Sequence, residues 1–215
     1  MTYKLVCFDL DGTIIDETIF IWQTIHDHLG TDKDKRKQAM VDFEAKKITY
    51  AQWAEHDVML WREKHATKEI LINSIAPLRL MEGAKEVLAE LKQRGLKLAV
   101  ISGSLNIALE KVIPDYNEIF DYIYINKLVF DGNKITKIIP TDFDFEHKAT
   151  ALKEICEKED IQLSECVFVG DHNNDVQIAE LAGLSIAFNC KSDRLAQVAD
   201  VVIEKKDLRE ILKYL

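Results

Sequence analysis

Five short stretches of this chain are apolar from end to end and rich in β-branched residues: KLVCFDL (4–10), LKLAVIS (96–102), CVFVG (166–170), LSIAFN (184–189) and DVVIE (200–204). A strand wetted on one face alternates apolar and polar residues, whereas a strand covered on both faces reads apolar throughout. These runs therefore demand burial from both sides. Helical patterns lie between them: GAKEVLAELKQRG (83–95), HKATALKEICEKED (147–160), NDVQIAELAG (174–183) and DLREILKYL (207–215). Gly95 and Gly183 sit where helix C-caps are expected. Strands alternating with helices predict an α/β architecture, a Rossmann-like parallel sheet flanked by helices.

Two segments break this rhythm. Between residues 16 and 80 the chain reads as successive helices, from TIFIWQTIHDHLG through TYAQWAEHDVMLWREKHA to KEILINSI, with no strand run. This predicts a small helical cap domain (16–80) inserted after strand 1, with the α/β core built from 1–15 and 81–215. Further on, YIYINKLVFDGNKITKIIP (122–140) carries Asp131-Gly132 between apolar stretches, a hairpin signal.

Composition narrows the function. A length of 215 residues, 47% of them hydrophobic, suffices for one large domain with an insertion. The net charge is −9 and no basic stripe is present, which argues against nucleic-acid binding. Cys7, Cys156, Cys166 and Cys190 are scattered without a CxxC pair, so neither zinc nor structural disulfides are expected. The first apolar run breaks at Asp9 and no other approaches spanning length, so no membrane association is expected and a cytoplasmic location is.

The chemistry concentrates at the ends of the strands. Asp9 and Asp11 close the first apolar run, and residues two apart on a strand point the same way. Two carboxylates converging there repel each other unless something offsets the charge. Ligands of open parallel sheets bind outside the carboxyl ends of the strands. To that edge the second run brings Ser102 and Gly103, and the third brings Asp171, Asn173, Asn174 and Asp175. Such an oxygen-rich set suits a hard divalent cation such as Mg²⁺. Alone, Ser102-Gly103 reads as a turn, GDHNND as a polar loop and Lys148 as one of 28 basic residues. The stretch holding Trp53 and Trp61 reads as cap core.

Taken in order, DLDGT (9–13), Ser102, Lys148 and GDHNND (170–175) resemble the haloacid dehalogenase superfamily, and the helical insertion resembles its cap. The resemblance implies a Mg²⁺-dependent phosphomonoesterase acting on a small phosphorylated metabolite through an aspartyl-phosphate. Asp9 would be the nucleophile and Asp11 the proton carrier. Asp9, Asp171 and the Asp11 backbone carbonyl would bind the metal, with Asp175 behind them. Ser102 and Lys148 would hold phosphoryl oxygens, with Gly103 and Asn174 beside the substrate. Transfer to an acceptor other than water stays open. A receiver-like phospho-acceptor module is shorter and lacks both DxDGT and the insertion.

Within the superfamily the motifs are most similar to those of phosphoserine phosphatases, although Ser104 stands where those enzymes usually have a second glycine. Glu17 corresponds to a glutamate they direct at the substrate's amino group, one residue closer to the first motif. Laid on their cap without gaps, KKITYAQWAEHDVMLW puts Asp57 where they carry an arginine that grips the substrate's carboxylate. An acid there repels a carboxylate. Arg62, about one turn further on, is the candidate substitute. Phosphoserine is thus one candidate substrate, and a phosphometabolite without the carboxylate or with positive charge is another.

Overall fold

A computed structural model describes residues 2–144 and 147–215. Its strands in chain order are β1 (Leu5–Phe8), β2 (Ile15–Asp16), β3 (Arg79–Leu80), β4 (Lys97–Leu105), β5 (Tyr122–Asp131), β6 (Lys134–Ile139), β7 (Cys166–Gly170), β8 (Leu184–Phe188) and β9 (Val201–Ile203). Seven of them form one sheet in the order β6-β5-β4-β1-β7-β8-β9. All neighbours run parallel except β5 and β6, which form the hairpin read from Asp131-Gly132. The α/β reading of the sequence therefore holds, with β1 at the centre of the sheet.

Period-two alternation sorts the core into two faces. Val6 and Phe8 join one apolar cluster with Leu98, Val100 and residues of α5 (Ala84–Gln93). Leu5 and Cys7 join another with Ala99, Ile101 and residues of α8 (Lys148–Glu159). Helices cover both sides, which is why these strands carry no polar face.

Between β2 and β3 the chain is helical: α1 (Ile21–Leu29), α2 (Lys33–Glu44), α3 (Tyr50–Glu63) and α4 (Lys68–Ser74). Three of these starts are written locally. Asp32 accepts from the backbone of Asp34 and Lys35, Thr49 and Gln52 form a capping box, and Thr67 accepts from Ile70. β2 and β3 pair antiparallel, Ile15 opposite Leu80 and Asp16 opposite Arg79, so the chain leaves the helices beside where it entered. Ile21, Ile25, Val58, Trp61 and Leu71 belong to the same apolar cluster as Val6 and Phe8. The hairpin is tied to the helices as well: Asn133 O accepts from Lys68 N (2.9 Å), and Thr136 O accepts from the Arg62 guanidinium (2.9 Å).

Two sequence expectations change. The pattern over 174–183 gives only a 3-10 turn (Asn173–Asp175) and the short α9 (Val176–Ala179), and the chain end is a 3-10 helix (Leu208–Tyr214). Gly183 caps nothing. It is glycine because a β-carbon there would overlap the backbone of Ser164, and its N–H donates to Leu163 O (2.8 Å). Gly95 does follow α5 in the left-handed region (φ +80°), in open space. Gly183→Ala should therefore cost about 2 kcal/mol or more through overpacking against backbone, and Gly95→Ala only about 1 kcal/mol through strain at positive φ. Urea denaturation of both variants checks the ranking.

Candidate active site

Register fixes the site. Phe8, the last residue of β1, lies opposite Val100 of β4 and Val169 of β7. The next residue, Asp9, donates its N–H to Val169 O (2.9 Å). Ser102 and Asp171 each follow those partners by two residues, so three strands deliver Asp9, Ser102 and Asp171 to one edge.

Lys148, in the first turn of α8, is fully buried and reaches that edge from the side. Its Nζ donates to Asp9 Oδ1 and to Asp175 Oδ1, both at 2.6 Å. Burial opposes the ammonium charge, but the carboxylates of Asp175, Asp9 and Asp144 outweigh it and hold the Lys148 pKa above its usual range. Asp175 Oδ2 accepts from the backbone N–H of Asp171 (2.9 Å) and of His172 (3.1 Å), so Asp175 organises the loop as much as it neutralises the lysine.

Asp11 is turned elsewhere. Its Oδ2 accepts from Ile21 N and its Oδ1 from Ser104 Oγ, each at 2.7 Å. Burial pushes its carboxyl up to about 7, against the pull of those two hydrogen bonds. A carboxyl poised near neutrality can give and take a proton.

Asp171 is buried, yet neither carboxylate oxygen has a hydrogen-bond partner, and Asn174 Oδ1 beside it is likewise buried and unpartnered. Burial, then the charges of Asp9 and Asp175, push the Asp171 carboxyl up to about 9. A β-carbon at residue 12 would overlap the Asp171 carboxylate, so only glycine lets the DLDGT turn close so near it. Oxygens of Asp9, Asp171 and Asp175 lie within 4.8 Å of one another. Carboxylate oxygens gathered this closely, with those of Asp171 unpartnered, fit a divalent cation.

Gly103 carries its backbone carbonyl to two donors, Trp22 Nε1 of α1 (2.8 Å) and Asn126 Nδ2 of β5 (2.7 Å). Any side chain at 103 would run into the Asp144 carboxylate. Trp22, Asn126 and Asp144 reach this edge with no motif to mark them in the sequence, and Ser104, notable in the sequence only for replacing a glycine, bonds to Asp11. A cleft of about 660 Å³ opens from solvent towards Asp171 between Gly12, Phe20 and His172.

The two candidate cap residues are not brought to the buried cluster. Glu17 lies on the wall of that cleft, exposed, at φ +68°, and pairs with Arg79 (2.7 Å). Arg62 points away, because Glu55 (2.6 Å) and the Thr136 carbonyl occupy its guanidinium, so it does not substitute for an anion-binding arginine in this geometry. Asp57 is buried in α3 against His26 (3.4 Å). Trp61 is fully buried, in keeping with a core role.

The model of the haloacid dehalogenase-like hydrolase family matches residues 6–180, and the chain belongs to that family. It is 36% identical to the phosphoserine phosphatase of Methanocaldococcus jannaschii over 99% of this chain and 97% of the relative. It is 32% identical to that of Wolinella succinogenes, over 99% of this chain and 100% of the relative. Among solved structures, a phospho-aspartyl intermediate analogue of phosphoserine phosphatase is similar at a TM-score of 0.76 and 32% identity, over 100% of both chains. A substrate-bound phosphoserine phosphatase complex is similar at 0.77 and 32%, over 100% and 99%.

The unpartnered acid makes a test. A carboxyl whose pKa is raised by folding keeps its proton better in the folded chain, so its penalty is absent below the ordinary value of 3.8 and grows as pH rises towards about 9. Metal-free protein should therefore lose thermal stability steadily between about pH 5 and about pH 9. Asp171→Asn should melt higher than wild type in chelator at about pH 8, with a shallower pH slope, and should gain less from added Mg²⁺. Thermal melts across pH, with and without metal, check both directions.

Proposed function

We propose that this chain is a Mg²⁺-dependent phosphomonoesterase that hydrolyses a small phosphorylated metabolite through an aspartyl-phosphate on Asp9. One observation carries the reading: Asp9 closes the central strand between the Lys148 ammonium and the unpartnered Asp171 carboxylate. A nucleophilic carboxylate needs cations on both sides before it can meet a phosphate dianion.

The Asp9 carboxylate attacks phosphorus and the ester oxygen departs, taking its proton from Asp11. Water then attacks the same phosphorus and gives its proton to Asp11, which releases phosphate and restores both acids. Ser104 Oγ and the α1 backbone hold Asp11 in place for both transfers. Ser102 and Lys148 hold phosphoryl oxygens, and Asp175 holds Lys148. Asp9, Asp171 and the Asp11 carbonyl would bind Mg²⁺, which supplies charge neutralisation for the phosphoryl group. A relative solved as a phospho-aspartyl analogue supports this route.

Residues 16–80 we assign as the cap domain, since α1 contributes both the Trp22 contact to Gly103 and the backbone donor to Asp11. The partner is a small molecule. No helix among the described residues is long and apolar enough to cross a membrane. Cys156 and Cys166 are free thiols in hydrogen-bond contact, their sulfurs 3.3 Å apart.

Asp9→Asn should reduce phosphate release from p-nitrophenyl phosphate by about a thousandfold or more, since nucleophile loss leaves only positioning. Chelation of Mg²⁺ should abolish it reversibly. Turnover that survives Asp9→Asn excludes the covalent route, and a stable phosphoprotein without turnover points to a phospho-acceptor module.

A further inference from the structure

Eight buried side-chain polar atoms among the described residues make no hydrogen bond, and seven of them fall into two groups. Three belong to Asp171 and Asn174. The other four surround Asp57: its own Oδ1, His26 Nε2, His56 Nδ1 and Arg36 Nε. Asp57 is 6% exposed, with His26 Nε2 at 3.4 Å from one oxygen and His56 Nδ1 at 3.5 Å from the other, both long contacts that leave Oδ1 without a hydrogen bond. A second set of buried groups left short of partners marks a second place where a ligand belongs.

The groups around it define the charge of that ligand. His26 Nδ1 lies 2.7 Å from Thr31 Oγ1 and 3.2 Å from the indole nitrogen of Trp61, and burial holds the ring's pKa below its usual range, which favours the neutral imidazole. Lys148 is the one buried lysine or arginine among the described residues, and Asp9 and Asp175 already hold it. Arg36 is half-buried on α2, senses Asp57 and is bound to Gln23 (3.0 Å). Against it stand three buried carboxylates, Asp11, Asp57 and Asp144.

Aromatic faces span the distance back to the phosphoryl end. Trp22 binds Gly103 O, its ring lies 5.1 Å from that of Trp61, and Trp61 reaches His26 beside Asp57. Tyr50, two turns before Asp57 on α3, bonds to Asp144 and accepts from Asn126 (2.8 Å). Buried acids set among aromatic faces recognise cations.

We propose that the organic half of the substrate ends in an ammonium group and carries no carboxylate, as in the phosphate monoester of a short amino alcohol, with Asp57 as its partner. This rests on the phosphatase reading above. The ammonium completes Asp57 Oδ1, and Trp22 and Tyr50, each linked to the Gly103 carbonyl (Tyr50 through Asn126), flank the short carbon chain. A carboxylate in the same place would add a fourth acid, and the half-buried Arg36 guanidinium, already facing Asp57, would be its one nearby cation among the described residues.

The test is a comparison of kcat/KM, with Mg²⁺, for O-phosphoethanolamine, glycerol 2-phosphate, O-phosphoserine and p-nitrophenyl phosphate. Wild type should favour phosphoethanolamine over both glycerol 2-phosphate and phosphoserine by about tenfold or more. Asp57→Asn should reduce the preference over glycerol 2-phosphate by about fivefold, through KM rather than kcat. Asp57→Arg should raise phosphoserine turnover relative to wild type. Phosphoserine used as well as phosphoethanolamine by wild type overturns the proposal, whatever the variants do. So does an unmoved ratio in Asp57→Asn. Hydrolysis of none of the four overturns the phosphatase reading itself, and the substrate class falls with it.

Discussion

The Lys148 ammonium, held at 2.6 Å from both Asp9 and Asp175, is the interaction on which the rest of the site depends. Three carboxylates within 4.8 Å of one another are incompatible with a dry strand edge unless cations meet them. One cation is built into the chain, on the first turn of α8. The position is awkward for a lysine, since a helix N-terminus disfavours positive charge. The buried carboxylates reverse that preference. Asp171, to which the lysine does not donate, has two unpartnered oxygens, which suit a divalent ion.

The same edge explains why the sheet is ordered as it is. β1 must be central, because only a strand with parallel neighbours on both sides can receive Ser102 from one and Asp171 from the other. The glycines at 12, 103 and 170 answer the same crowding. At each of them a β-carbon would strike a carboxylate, that of Asp171, Asp144 or Asp175. Backbone and acid approach so closely there that a side chain has no room.

The helices between β2 and β3 belong to this electrostatic arrangement rather than standing over it. Ile21 N–H fixes one oxygen of Asp11, and Trp22 fixes the carbonyl of Gly103. Movement of α1 therefore changes the orientation of the Asp11 carboxylate and of the Gly103 carbonyl together.

Much of this was legible in the sequence. The apolar runs, the Asp131-Gly132 hairpin and the all-helical stretch carry local signals, periodicity and turn chemistry, that need no tertiary context. Asp9, Asp11, Ser102, Lys148 and Asp171 stand out in the sequence because each lies at a strand end or in a motif whose order is itself a signal. Glu17 and Arg62 come from the family resemblance: Glu17 lines the cleft that leads to Asp171 while pairing with Arg79, and Arg62 is held by Glu55 and a hairpin carbonyl. Gly183 looked like a helix cap and is a close approach of two backbones. Trp22, Asn126 and Asp144 gave no signal, because their partners lie 81, 23 or more residues away in the chain or across an unrelated loop. Sequence alone determined the class of chemistry, since strand ends and motif order follow from local patterning. Which charges remain uncompensated was decided by tertiary packing, because that depends on which distant side chains reach each carboxylate.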